Sequence, residues 1–269
     1  MRAAAAADVL VLGYSHAHVG FSTAATRQQA RGAGAALYNL SVFGMNSRYY
    51  ELPRIGARPK LVAIDADPFF VAPDPALRSG LERQLIDQPL RSAAHYLARR
   101  GWQEVHRLAC GYGPNPLCGT RFAFFRRRDN GDLVIDYRVA LGDPLPAIPV
   151  RRGAPVAAGT VAAGAAQARG FLARHRLDPA CTILTVVPSA HDNEALGEGI
   201  ATATGAPWVN PAMAGLTTVD GAHLDAACAE RWSAAFWQEA APILARCLAA
   251  ASVPIPNFAA GAAISFSGH

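Results

Sequence analysis

The chain has 269 residues, 51% of them apolar and 17% charged, a balance that excludes an extended disordered protein and leaves ample material for a buried core. No apolar run approaches the roughly 20 residues needed to cross a bilayer, so no transmembrane segment is expected. The formal charge of +5 does not mark a nucleic-acid partner: Lys60 is the only lysine, and the basic run Arg126-Arg127-Arg128 has no aromatic-rich nucleic-acid motif beside it and reads as a solvated hairpin tip.

Asp8–Leu12 is a continuous apolar strand of the kind buried on both faces in a parallel sheet. A helix is expected over Ala17–Ala33, a second strand over Ala36–Phe43 ending at Gly44, and a third over Lys60–Ile64 running into Asp65-Ala66-Asp67-Pro68. These short alternations predict an α/β fold with a parallel sheet. The rhythm then breaks. Leu77–Arg100 has helical spacing, Gly111–Pro116 is irregular, and Arg121–Arg127 and Leu133–Val139 flank an Asn130-Gly131 turn suited to a β-hairpin. Residues of about 75–155 therefore read as an insertion within a single domain of 1–269. Afterwards come a helix over Thr160–His175, a strand over Cys181–Val187, a helix over Leu196–Thr204, a brief strand at Trp208–Asn210 and a long helix over Ala226–Ala250.

Cys181, Cys228 and Cys247 lie in apolar segments where a buried thiol is the default, whereas Cys110 and Cys118 flank a Gly/Pro loop and are the candidates for pairing. No CxxC pair suggests structural zinc. The short alanine-rich start before the first strand is not a secretory signal, so the chain as written reads as cytoplasmic, or as periplasmic if a leader was removed.

Ser15 follows Gly13 at the end of the first strand, where ligands of parallel α/β sheets bind. By itself it reads as a helix cap. Asp220 and His223 lie three apart, a spacing that lets the carboxylate reach Nδ1 and leaves Nε2 for a nucleophile. The competing view is a capping Asp with an incidental surface His, but Asp225 is the better cap for the last helix. His16, Asp67 and His191 are candidate substrate contacts, as are Ser189, Asp192 and Asn193 of the loop after the Cys181–Val187 strand. His16 with His18, and His191 with Asp192, lack the spacing of a metal pair. No metal or other cofactor is expected.

In its Gly13-Tyr14-Ser15 start, its Asn39–Gly44 segment and its Asp220-x-x-His223 block, the chain resembles the SGNH/GDSL hydrolase superfamily, over roughly residues 8–70 and 178–250. Ser15-His16 and the strand ending in Asp67-Pro68-Phe69-Phe70 look closest to the branch of cell-envelope polysaccharide O-acetyltransferases and esterases. The resemblance implies a three-layer, flavodoxin-like parallel sheet with helices on both faces. It makes Ser15 the nucleophile, His223 the base and Asp220 the residue that orients it, with an oxyanion hole from the N–H groups of Ser15 and Gly44; Asn46, two residues past Gly44, is this chain's own candidate for the further donor. The chain departs from the family pattern at Tyr14, where the first block has aspartate, and in lacking the Gly-x-Asn-Asp block, for which an ionised Asp67 is a poor substitute because it cannot donate. The expected activity is serine-dependent ester hydrolysis or O-acyl transfer on a small-molecule or carbohydrate ester. The alternative is a catalytically silent carbohydrate-binding protein of the same fold.

Overall fold

The computed structural model describes residues 2–41, 59–71, 124–127, 129–135, 145–151, 156–191 and 193–250. After a short helix α1 (Arg2–Ala5), strand β1 (Val9–Leu12) leads into α2 (Ser15–Phe21) and α3 (Ala24–Gly32). Strands β2 (Leu37–Asn39) and β3 (Leu61–Asp65) flank β1 on either side, and both run parallel to it. A hairpin of β4 (Phe124–Arg126) and β5 (Leu133–Ile135) follows, then β6 (Ile148–Pro149) and α4 (Ala158–His175). Next come β7 (Thr182–Thr185), α5 (Glu194–Thr204), β8 (Thr217–Thr218) and α6 (Ala226–Ala250). The main sheet has the order β2-β1-β3-β7, all parallel, and a parallel bridge from Leu184 to Trp208 continues past β7. The fold is α/β, as the alternation of elements predicts.

The apolar strands are needed because both faces of this sheet are covered. Leu10, Leu12, Val62, Ile64 and Leu184 enter one core with Phe171 and Leu172 of α4 and Leu196 and Ile200 of α5. Their neighbours Val9, Val11, Leu61, Ala63 and Ile183 enter another with Phe21 of α2 and Trp232, Phe236 and Trp237 of α6. Period-two alternation thus places every second residue on each face. In the second core Phe21 makes edge contacts to Trp232 and Phe236, with ring centroids 5.2 and 4.9 Å apart. Burying each such ring contributes about 1.5–3 kcal/mol.

Two readings of the sequence are corrected and a third is extended. The helix expected over Ala17–Ala33 is two helices. The Thr23 side chain accepts from Thr26 N–H and caps α3, while Ser22 Oγ turns back to His18 O and accepts from Leu133 N–H at 2.7 Å. The hairpin tip is exposed at Arg126, Arg127 and Asp129, as expected, but its other residues dock on the sheet edge. Asn130 O accepts from Asn39 N–H at 2.8 Å, and Asp132 is buried with Arg27 against it at 2.6 Å. Arg126 stacks over Tyr38 and donates to Asn39 O, so the hairpin occupies the free edge of β2. Arg127, also exposed, pairs with Asp129 at the surface, as expected. Finally, Cys181 and Cys247 are joined in a disulfide, their Cα atoms 5.8 Å apart, because the last turns of α6 cross the start of β7. Cys228 is a buried free thiol, as expected.

The expected helix over Leu77–Arg100, most of the proposed insertion, and Cys110 and Cys118 lie outside the described residues. Among the described residues no helix is long and apolar enough to cross a membrane.

Candidate active site

The carboxyl ends of β1 and β3 are pressed together at Gly13. A Cβ there would lie 2.6 Å from Ala17 Cβ and 2.7 Å from Asp65 Cβ, and the backbone has a φ of +153°. Only glycine lets the chain leave β1 and enter α2 this tightly. Ser15 is the first residue of α2, and Tyr14 is its N-cap residue. The N-cap position thus belongs to Tyr14, whose side chain makes no cap bond, and not to Ser15 as the simple cap reading requires.

His16, the next residue, places Nδ1 2.5 Å from Asp67 Oδ2. Burial opposes a charge on this ring, yet the hydrogen bond and negative charge of Asp67, reinforced by Asp65 and Asp220, raise its pKa to about 9. Asp65 is the last residue of β3 and fully buried. Its Oδ1 takes a long 3.4 Å contact from Val187 N–H, and its Oδ2 has no partner among the described residues. Burial, then the Asp67 charge, push this carboxyl well above the usual carboxylate range.

A tight loop after β8 delivers the second group. Gly221 adopts a φ of +85°, and its N–H is held by Thr218 Oγ1. Asp220 Oδ1 accepts from the backbone of Ala222 and His223 at 2.9 and 2.7 Å, and Oδ2 meets His223 Nδ1 at 2.7 Å. Burial works against the charge of Asp220, but these three donors outweigh it and hold the pKa below the ordinary value. His223 Nε2 is buried and has no hydrogen-bond partner among the described residues. Its ring lies edge-on to that of His16, with centroids 5.4 Å apart. Asp225 caps α6, its Oδ1 accepting from Cys228 N–H at 2.8 Å, which frees Asp220 for the histidine.

The structure therefore brings together Asp220, His223, His16 and Asp67. It shows no hydrogen bond between Ser15 Oγ and His223 Nε2 among the described residues, and the ring next to His223 is that of His16. Asp67 serves as the acceptor for His16. Gly44 and Asn46 lie outside the described residues, as does Asp192. His191 is exposed and, with Ser189 and Asn193, lines a shallow open hollow together with Arg151, Glu194 and Asn210. This loop is tied to the Asp220 loop by Ala190 N–H donating to Gly221 O at 2.8 Å.

His18 is a core histidine rather than a partner of His16. It is buried, Nε2 meets Gly131 O at 2.9 Å, and burial drives its pKa down to about 4. Sequence reasoning missed Asp65. The available signal was a pair of carboxylates two apart where an apolar strand ends, Asp65 closing β3 and Asp67 opening the helical turn after it.

No family model matches the chain, and comparisons with curated proteins and with solved structures found no match.

Proposed function

We propose that the chain is an SGNH-type serine ester hydrolase or O-acyltransferase of three-layer, flavodoxin-like architecture, acting on an O-acetylated carbohydrate. The observation that carries this reading is the Asp220–His223 pair. One carboxylate oxygen shapes the loop, the other fixes Nδ1, and Nε2 is left without a partner beside the helix that Ser15 opens. The strand order, with β1 between β2 and β3 and a continuation past β7, agrees with the flavodoxin-like pattern.

In this mechanism His223 Nε2 takes the Ser15 Oγ proton as Oγ attacks the ester carbonyl carbon. Asp220 remains ionised and stabilises the imidazolium. The tetrahedral oxyanion is held by the N–H groups of Ser15 and Gly44, with Asn46 as a further donor, each such donor contributing about 3 kcal/mol to the transition state. Collapse expels the alcohol, which takes its proton from His223 and leaves an acyl-Ser15. Water or a sugar hydroxyl, deprotonated by His223, then attacks the acyl carbon; the acyl–Oγ bond breaks, Ser15 Oγ takes the proton back from His223, and an acid or a new ester is released. His16, Asp67 and His191 line the approach for the carbohydrate. The Cys181–Cys247 disulfide favours an oxidising compartment, in keeping with an envelope substrate.

A second reading, a sugar-binding protein without turnover, is favoured by the missing Ser15–His223 hydrogen bond. Turnover of p-nitrophenyl acetate separates the two. The enzyme reading expects hydrolysis that Ser15→Ala abolishes, and an acyl oligosaccharide product when acceptor is added if the chain is a transferase. Oligosaccharide binding with wild-type ester turnover no greater than that of Ser15→Ala supports the silent protein.

A further inference from the structure

Asp65 presents a problem that the acyl-transfer reading does not solve. It is a carboxyl group with no exposed surface, only the backbone N–H groups of Val187 and Asp67 nearby as donors, and an Oδ2 without a hydrogen bond among the described residues. An unpaired buried charge is among the costliest features a fold can carry, so it needs a proton or a cation. Its neighbours are suited to hold a cation. One ligand atom each from His16, Asp65 and Asp67 lie within 4.8 Å of one another. The His16–Asp67 contact answers for one carboxylate and leaves the other unanswered.

We infer that His16, Asp65 and Asp67 form a binding site for a divalent transition-metal cation, at the carboxyl edge of β1 and β3. One imidazole nitrogen with two carboxylate oxygens suits zinc, manganese, cobalt or iron(II), whereas calcium and magnesium favour oxygen-only sets. Two carboxylates and a neutral ring balance a charge of +2, removing the cost at Asp65. On binding, the hydrogen that joins His16 to Asp67 and the proton held by the buried Asp65 carboxyl are released to solvent, and the vacated nitrogen and oxygens become ligands. Three protein ligands leave a coordination position open to water or to a substrate oxygen. Asp65 ends β3, Asp67 opens the helical turn that follows it, and His16 lies in the first turn of α2, which Gly13 brings close against Asp65, so all three ligands sit on regular elements.

This inference does not rest on the serine mechanism, and its test needs no ester. The full chain is stripped of metal and dialysed against Zn²⁺, with bound metal counted per chain and Co²⁺ absorption used as a second probe. The site predicts saturable binding of about one ion per chain. Asp65→Asn and His16→Ala weaken it more than about 100-fold, beyond the roughly 10–100-fold loss typical of removing a residue that merely supports a ligand. His191→Ala, which removes an exposed histidine, binds as wild type does. Circular dichroism verifies each fold, and Asp67→Asn repeats the test should Asp65→Asn not fold. No saturable binding, or binding that survives both Asp65→Asn and Asp67→Asn, overturns the inference and assigns Asp65 a proton instead.

Discussion

Asp220 has two tasks and one oxygen for each: Oδ1 organises the loop backbone, and Oδ2 holds His223 Nδ1. Asp220→Asn retains an oxygen for the backbone, but its amide nitrogen faces Nδ1 as a donor and selects the wrong tautomer. Ester turnover is expected to fall on the order of 10³–10⁴-fold with little change in KM. A fall of less than tenfold would remove His223 from the base role. Elsewhere His175 illustrates the cost of a buried imidazole. Both its nitrogens lack partners among the described residues, its ring packs on Phe171 at 4.4 Å, and burial, then nearby Arg174, lowers its pKa. The unfolded chain takes up this proton near pH 6.5, while the folded chain resists it to lower pH. Below about pH 6.5 the unfolded state therefore binds more protons, and stability is lost as pH falls. Urea midpoints should show this acid loss reduced in His175→Leu. Midpoints of wild type and variant that fall in parallel from pH 7 to 5 would contradict it.

At the scale of elements, the β4–β5 hairpin serves as a strap across the sheet edge. Gly131 has a φ of +74°, and a Cβ there would lie 2.1 Å from Asn39 O. Gly131→Ala should cost on the order of 2–4 kcal/mol, through strain and loss of the contacts to Asn39 and His18. Gly170 lies inside α4 with nothing within 4 Å of a built Cβ, so Gly170→Ala should stabilise by about 0.5–1 kcal/mol. Denaturant unfolding of the pair checks both signs, and equal effects would refute the docking account. The hairpin was legible because Asn130-Gly131 is a local signal. Its docking was not, because it depends on Tyr38 and Asn39, far away in sequence. The break between α2 and α3 was hidden for a related reason. Ser22 and Thr23 look tolerable within an alanine-rich helix until Leu133 N–H supplies Ser22 with a partner.

Across the whole molecule, the parallel sheet was legible because β1 and Leu61–Ile64 of β3, buried on both faces, are uninterrupted apolar runs. What joins distant segments was not. Asp220 and His223 meet across three residues, and their spacing alone predicts the contact. His16 and Asp67 are 51 apart and meet only because β1 and β3 are neighbours. The disulfide behaves likewise: Cys181 and Cys247 are separated by 66 residues, and only the packing of α6 on β7 pairs them. Cys181→Ser with Cys247→Ser should lower stability by about 2–4 kcal/mol. A reductant should shift the wild-type unfolding midpoint and leave that of the double variant unchanged; a wild-type midpoint indifferent to reductant would count against the bridge.

The acyl-transfer account stands on the nucleophilicity of Ser15 at the hand of His223, and intact-mass spectrometry after exposure to a fluorophosphonate tests this most directly. The account predicts one covalent adduct per chain, mapped to Ser15, absent in Ser15→Ala and formed far more slowly in His223→Ala. An unmodified chain, or an adduct on another residue that forms equally fast without His223, would contradict it.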